Sequence, residues 1–324
     1  MKTLLLVAGV ALGAVASGAS GAVPQQAECI APAKAGGGFD LTCALAREML
    51  AGSPSIRTTY LPGGIGALAF TTIVTRRPDD PSAIVAFSGG SLLNLAQGKF
   101  GPYSEANVRW LAIVGTDYGV VAVRKDAPFR SLEDVVHALK TDPRAVSFAA
   151  GGTIGSQDWF KAALLARSAG VSHKSMRFVA FEGGGDALSA LEGGHVDVFT
   201  GDAAEAMRHL AGRSGVRLLA VLAEQRLPGA LHSVPTAREQ GFDIVWPTAR
   251  GFYLGPGVSD AAYRDWSDTM RKAMASDGFA KQRADYGLFP LSLSGQELRQ
   301  FIDDSMARYR RLAAEFGVLR TPGR

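Results

Sequence analysis

The stretch Ala149-Ala150-Gly151-Gly152-Thr153-Ile154-Gly155-Ser156 joins an apolar, strand-like run to a helix-like run through a glycine turn. Three further stretches have the same placement: Gly36-Gly37-Gly38-Phe39-Asp40, Gly63-Gly64-Ile65-Gly66 and Gly183-Gly184-Gly185-Asp186. Glycine lets the backbone approach a ligand, and the helix behind it presents unpaired N–H groups and a partial positive charge. The four turns predict a cradle for a small anion, built from backbone rather than from catalytic side chains.

Around these turns, strand-like and helix-like runs alternate along the chain, which is the pattern of parallel α/β sheets. The predicted strands are Glu28–Ala31, Arg57–Tyr60, Ala83–Phe87, Arg109–Val114, Val120–Arg124, Val146–Ala149, Arg177–Phe181, Val196–Thr200 and Arg217–Leu222. The predicted helices are Leu41–Ala51, Ala67–Thr75, Leu132–Lys140, Ser156–Ser168, Gly185–Leu191 and Ala203–Leu210. In such sheets ligands bind beyond the carboxyl ends of the strands, where the glycine turns fall.

The C-terminal part of the chain is predicted to be helical. Ser259 and Asp260 begin one helix, and Ser294-Gly295-Gln296-Glu297 has the spacing of a capping box for another that runs to about Phe316. Because no low-complexity linker occurs, we expect two lobes joined by crossover segments at Val120–Asp126 and Asp243–Tyr253. This divides the chain into a signal peptide (1–22), lobe 1 (23–126), an inserted lobe 2 (127–242) and the return of lobe 1 with a helical C-terminus (243–324).

Composition and the N-terminus indicate an exported globular protein. The 324 residues are 47% hydrophobic and 20% charged, with a net charge of +4, which is an ordinary globular balance. The basic excess is scattered, so we predict no nucleic-acid partner. Met1-Lys2-Thr3 followed by the apolar run Leu4–Val15 reads as a secretory signal, with cleavage after Ala19 or Ala22. The predicted location is the periplasm.

Export bears on the two cysteines, Cys29 in the first strand and Cys43 in the helix after the first glycine turn. In an oxidising compartment two cysteines are more often paired than free, so a disulfide is predicted. The alternative is two buried thiols that never meet. A bridge would pin the strand to its helix around the first glycine loop.

Motifs for catalysis, metals and nucleotides do not emerge from the sequence. The five histidines stand apart from one another and from metal-ligand spacing, and no nucleophile elbow or phosphate-binding Gly-Lys-Ser/Thr sequence occurs. Gly64-x-Gly66-x-x-Ala69 matches a dinucleotide fingerprint weakly, because Pro62 intrudes in the turn and no acidic residue follows at the expected distance. We therefore predict no catalytic residue, no metal and no cofactor.

Several stretches, in order, resemble landmarks of the tripartite tricarboxylate transporter substrate-binding proteins, the Bug-type periplasmic receptors. They span roughly residues 28 to 318, and this chain departs from the family's usual residues at Tyr60, where Asn is usual, and at Cys43-Ala44, where Ala-Arg is frequent. The matching stretches are Pro32–Asp40, Leu61–Ala67, Ala149–Ser156, Phe181–Leu188, Gly193–Asp197 and Val234–Gly241.

The resemblance implies a periplasmic-binding-protein fold (type II-like), with two α/β lobes closing on a ligand cleft between them. It implies an extracytoplasmic solute-binding receptor, not an enzyme, that captures a small carboxylate such as a tricarboxylate or dicarboxylate. It also implies delivery of that ligand to integral membrane subunits of an ion-driven transporter. We expect the protein to act as a monomer.

The predicted ligand-binding residues lie mainly in the glycine turns. They are Lys34, Gly37, Gly38, Asp40, Pro62, Gly63, Gly64, Ser88, Ser91, Thr153, Gly155, Ser156, Gly184, Gly185 and Asp202. For several of these a structural role competes with ligand contact. Asp40 and Asp202 suit helix capping, and either Thr153 or Ser156 is expected to cap while the other donates to the ligand. Lys34 suits either a second ligand carboxylate or solvent.

Two alternatives to a transport receptor stay open from the sequence. The first is a secreted enzyme on the same scaffold, acting on a small organic acid with Asp40 or Asp202 as the base. The second is a ligand sensor coupled to a membrane kinase. The sequence does not separate these partners, and backbone donors recognise carboxylates generically.

Overall fold

The computed structural model describes residues 23–51, 55–211 and 215–320. The predicted signal segment, residues 1–22, lies outside the described residues. Within the described ranges, none of the helices combines the length and apolar character needed to cross a bilayer.

Strands and helices alternate through most of the described chain. The strands are β1 (Gln26–Ala31), β2 (Ser55–Tyr60), β3 (Ala83–Ser88), β4 (Arg109–Arg124), β5 (Ser147–Gly151), β6 (Arg177–Phe181), β7 (Val198–Phe199), β8 (Val216–Leu222) and β9 (Pro247–Leu254). The helices are α1 (Gly38–Met49), α2 (Ala67–Arg76), α3 (Gly89–Ala96), α4 (Leu132–Thr141), α5 (Gln157–Ser168), α6 (Gly184–Glu192), α7 (Ala203–Leu210), α8 (Asp260–Met274), α9 (Phe279–Asp285) and α10 (Gly295–Glu315).

Two lobes are built on the two halves of a mixed sheet that share β4. In lobe 1 the strand order is β2-β1-β3-β9-β4, with β1 parallel to β2 and β3, and β9 antiparallel to both β3 and β4. In lobe 2, β4 pairs antiparallel with β7 and β8, and β5 pairs parallel with β6 and β7. The predicted α/β architecture with two lobes is confirmed, while the exact lobe boundaries stay a prediction.

The sheet differs from the sequence prediction at its centre. The two strands expected at 109–114 and 120–124 form one continuous strand, and the segment read as a crossover at 243–253 contains the central strand β9. Residues 115–118 look like a break because they are Gly, Thr, Asp and Tyr. They stay extended because β9 pairs with them through Tyr118. The all-parallel expectation is therefore wrong at these strands.

Local sequence explains the helices that support the sheet. In α4, Ser131 accepts the Asp134 N–H, and the Asp134 carboxylate accepts the Ser131 N–H, which makes a capping box. Its apolar residues Leu132, Val135 and Leu139 fall on one face and are buried. The short helix α3 was not predicted, because two glycines begin it. Its N-terminus is closed by Ser88 and Ser91, which cap each other's backbone N–H groups.

The C-terminal helices pack as predicted, with one difference. α8 begins after its cap Ser259, whose hydroxyl accepts the Ala262 N–H. α10 follows the N-cap Ser294, but among the described residues the predicted capping box with Glu297 does not form. The helix is held instead by its buried face, with Leu298, Ile302, Met306 and Tyr309 packed in the core beneath α3.

The predicted disulfide is confirmed. Cys29 in β1 and Cys43 in α1 are bonded, with their Cα atoms 5.6 Å apart and both side chains buried. The bond brackets the loop that carries Gly36, Gly37 and Gly38. It therefore fixes the start of α1 relative to β1, at the point where the first glycine turn faces lobe 2.

Candidate ligand-binding cleft

The four glycine turns meet in one cleft between the lobes. A larger cavity of about 490 Å³ and a smaller one of about 220 Å³ share the lining residues Lys34, Phe39, Ile65, Gly152 and Glu182. Lobe 1 contributes the loops after β1 and β2, and lobe 2 contributes those after β5 and β6. The convergence predicted from sequence is therefore present, because each loop leaves the carboxyl end of its strand.

Eleven of the predicted ligand-binding residues line this cleft. Their contact with a ligand stays a prediction, but their placement suits it. Those in the larger cavity are Lys34, Pro62, Gly63, Gly64 and Thr153, and those in the smaller cavity are Lys34, Gly37, Gly38, Ser88, Gly184, Gly185 and Asp202.

The other four predicted residues support the walls of the cleft. Asp40 accepts hydrogen bonds from the Gly36 N–H (2.8 Å) and the Tyr60 hydroxyl (2.9 Å), so its carboxylate holds the first glycine loop. Ser156 caps α5 by accepting the Trp159 N–H, which is the structural role considered for it. The Gly155 carbonyl accepts a hydrogen bond from the Gln97 side-chain amide at 2.7 Å, and Ser91 belongs to the cap of α3.

Glycine is required at the turn after β5. Gly152 has φ +86°, a conformation that side chains with a Cβ rarely adopt, and a Cβ there would lie 2.3 Å from the Ile65 Cδ1 atom. Ile65 comes from the second glycine turn, in the other lobe. The two lobes therefore touch closely here, at the boundary between the larger and smaller cavities.

The floor of the smaller cavity is a buried network of charges. Arg250 Nη2 lies 2.8 Å from Asp202 Oδ2 and 3.1 Å from Asp117 Oδ2. Lys161 Nζ lies 2.6 Å from Asp202 Oδ1 and 2.9 Å from Asp158 Oδ1. All five residues are buried, so each charge depends on its partners rather than on water.

The network divides the carboxyl groups by their proton affinity. Burial alone would raise the pKa of Asp202, but Lys161 and Arg250 hold it below its ordinary value. Burial raises the pKa of Asp158, and burial followed by the neighbouring Asp202 raises that of Asp117. Of the three aspartates in the network, Asp202 is thus the one that stays ionised to the lowest pH.

Asp202 was expected to cap α7, and it occupies the N-cap position. Its side chain instead binds Lys161, Arg250 and the Gln157 amide, which donates at 2.7 Å. Asp117 takes over the capping role by accepting the Ala204 N–H at 3.1 Å. Asp117, which belongs to the polar run 115–118 within β4, therefore caps the N-terminus of α7 in lobe 2.

Glu205, in the first turn of α7, was not predicted. Its Oε1 atom accepts the Gly38 N–H at 2.8 Å, at the N-terminus of α1. A Cβ on Gly184 would lie 1.8 Å from Oε2, so the carboxylate also rests against the first residue of α6. Burial, followed by the charge of Asp202, raises the pKa of Glu205 to about 7.

The larger cavity has a different charge. Among the described residues that line it, three are basic, namely Lys34, Lys99 and Arg320, and one is acidic, Glu182. Lys99 Nζ donates to the Ile154 carbonyl at 2.8 Å, and burial followed by the nearby Arg320 lowers its pKa to about 8. This part of the cleft suits an anion.

Some sequence signal for the missed residues exists. Asp117 lies inside the mostly buried strand β4, Arg250 is the single charge of β9, and Asp158 and Lys161 are the two charges on the buried face of α5. A charge in such a position is expected to be paired or functional. Its partners are not predictable, because Asp117 and Arg250 are separated by 133 positions.

A two-lobed α/β fold with a polar cleft between its lobes defines the class of solute-binding proteins of the periplasmic type. The chain belongs to the family described as "Tripartite tricarboxylate transporter family receptor", which residues 61–318 match. This confirms the resemblance, and it makes the chain a member of a family of solute-binding receptors rather than enzymes.

Individual proteins of similar sequence or structure are consistent with this family assignment. A protein of Cupriavidus necator, "UPF0065 protein in gbd 5'region", is 24% identical over 260 residues, covering 79% of this chain and 76% of that protein. MatC of Rhodopseudomonas palustris with bound malate has a TM-score of 0.75 at 21% identity, covering 89% of this chain and 98% of its own. An R. palustris protein with adipate has a TM-score of 0.77 at 20% identity, covering 90% and 97%. Because both structures are less than 25% identical to this chain, they show that the fold is shared and nothing further.

Proposed function

We propose that this receptor captures a small organic acid in the interlobe cleft, outside the cytoplasmic membrane. It then delivers the acid to the membrane subunits of a tripartite tricarboxylate-type transporter. The observation that carries the proposal is the meeting of four glycine turns, two from each lobe, around one cleft. Backbone N–H groups at helix N-termini are suited to carboxylates.

The division of the chain supports a closing motion. We place lobe 1 at residues 23–126 and 243–324 and lobe 2 at residues 127–242, so that β4 and the segment before β9 connect them. A ligand touching loops of both lobes binds the closed form more tightly than the open form, and it therefore shifts the population toward closure. The membrane subunits would recognise that closed form.

Two further properties belong to the same proposal. The family is one of transporter receptors, which supports a periplasmic location after cleavage of the N-terminal segment. We also propose that the receptor works as a monomer, since one chain supplies loops to both sides of the cleft.

A thermal-shift panel tests the proposal directly. Carboxylic acids of varied size should include at least one that raises the Tm of the exported protein, because binding to the folded state alone stabilises it. The corresponding primary alcohols should leave the Tm unchanged. A folded protein that no acid in the panel stabilises would overturn the proposal.

A further inference from the structure

The position that a ligand carboxylate would occupy at the N-terminus of α1 is already filled by a side chain of the protein. Glu205 Oε1 accepts the Gly38 N–H at 2.8 Å, and Oε2 packs against Gly184 at the start of α6. The free N–H groups and dipoles of these two helix starts are the features that attract an anion. Glu205 therefore occupies an anion position that these glycine turns create.

Among the described residues of the smaller cavity, Glu205 forms no ion pair of its own, and the nearest cation is the guanidinium of Arg250. Five acidic residues line this cavity, against two basic ones, and the Nη2 atom of Arg250 binds both Asp117 and Asp202. The other basic residue, Lys34, is exposed at the rim and also lines the larger cavity. A second ligand carboxylate placed here would meet Glu205, and it would have to share Arg250 with Asp117 and Asp202.

The two cavities thus differ in sign within one cleft. Among the described lining residues, the larger cavity has three basic residues and one acidic residue, while the smaller has two basic and five acidic ones. A ligand that spans both is stabilised when its carboxylate lies in the larger cavity and its other end donates hydrogen bonds or carries positive charge.

Resting on the proposed function, we propose that Glu205 determines the specificity of the receptor and selects amino-carboxylic acids over dicarboxylic acids. The ligand's carboxylate binds between the turns at Gly63–Gly64 and Gly152–Thr153. Its ammonium group binds beside Glu205, where it forms the ion pair that the carboxylate otherwise lacks. Dicarboxylates are disfavoured for two reasons. Their second carboxylate is repelled by the Glu205 carboxylate, and it competes with Glu205 for the Gly38 N–H.

The test is isothermal titration calorimetry at pH 8 with ligands of matched carbon number. The four-carbon set is succinate, butyrate, α-aminobutyrate and γ-aminobutyrate. The six-carbon set is adipate, hexanoate, α-aminohexanoate and ε-aminohexanoate. For at least one length, an amino acid should bind the wild-type protein with an affinity about tenfold or more above that of the diacid. A tenfold change in affinity is what one well-placed charge typically contributes.

The variant Glu205→Gln keeps the shape of the side chain and removes its charge. It should reduce the preference for the amino acid by about tenfold. Asp285→Asn changes the net charge equally but lies on α9, outside both cavities of the cleft, and it should keep the wild-type ranking. If the Glu205→Gln protein does not fold, the relative affinities of the wild-type protein for the diacids and the amino acids decide the test.

If at both carbon numbers the diacid binds the wild type as tightly as the amino acids of the same length, or more tightly, this inference is overturned and the proposed function is left intact. An unchanged preference in a folded Glu205→Gln protein would overturn it in the same way. If no member of either set binds, and the wider acid panel also fails, the proposed function fails with it.

Discussion

The guanidinium of Arg250 and the carboxylate of Asp202 form a buried ion pair between the two halves of the sheet, with Nη2 and Oδ2 2.8 Å apart. Arg250 lies in β9, which pairs with strands of lobe 1, and Asp202 lies between β7 and α7 in lobe 2. The pair sits on the floor of the cleft, so it joins β9 to the start of α7 and sets the charge of the site.

Replacing Asp202 should destabilise the protein strongly. Asp202→Asn leaves Arg250 and Lys161 with fewer negative partners in a buried site, and removal of one member of such a pair costs about 3 kcal/mol. Urea unfolding measures the loss. The control is Asp285→Asn, which breaks the exposed pair with Lys281 and should cost less than about 0.5 kcal/mol. Equal effects of the two substitutions would contradict the role given to the network.

The stability of the protein should depend on the protonation of Glu205. Its pKa is raised by burial, and then by Asp202, from 4.5 to about 7, so the unfolded chain loses this proton before the folded chain does. Stability therefore falls as pH rises from about 4.5 to about 7. The other charged groups that act on it are Arg250, which lowers the pKa, and Asp158, which raises it.

The comparison with Glu205→Gln isolates this group, because the surrounding charges are the same in both proteins. Over that pH window the variant should gain about 2 kcal/mol relative to the wild type, a value reduced for the partial exposure of the side chain. Denaturant unfolding at a series of pH values measures the difference. Parallel stability curves for the two proteins would show that the Glu205 carboxyl is not perturbed.

Two adjacent glycines at the start of α6 should respond oppositely to alanine. Gly184→Ala places a Cβ 1.8 Å from Glu205 Oε2, so the side chain must move, at a cost of about 1 to 3 kcal/mol. A Cβ on Gly185 meets open space, and alanine there should be neutral or stabilise the helix by up to about 1 kcal/mol. Thermal unfolding of the two variants checks this, and a lower Tm for Gly185→Ala than for Gly184→Ala would refute it.

The disulfide between Cys29 and Cys43 should stabilise the first glycine loop. Reduction opens a short covalent loop and is expected to cost about 3 kcal/mol. The Tm of the wild type should therefore fall when a reductant is added. The Cys29→Ala, Cys43→Ala protein should start from the lower Tm and show no response to the reductant. A Tm insensitive to reductant in the wild type would mean that the bond does not constrain this loop.

Local sequence predicted the outer strands, most helices, the glycine turns and the disulfide, since each depends on residues near one another in the chain. The course of β4 and the identity of β9 were not predicted, because a polar run such as 115–118 stays in a strand only when a distant partner pairs with it. The same limit applies to the cleft. Gly38 was predicted to face an anion, but the anion that it binds in the structure is Glu205, 167 positions away.

The central claim is that an organic acid binds between the lobes, and a crystal structure of the protein with the acid that raises its Tm most is the direct measurement. The account predicts a carboxylate in the larger cavity, within hydrogen-bonding distance of backbone N–H groups at Gly63–Gly64 and at Thr153. An acid bound on the outer surface, with the interlobe cleft holding only solvent, would contradict it.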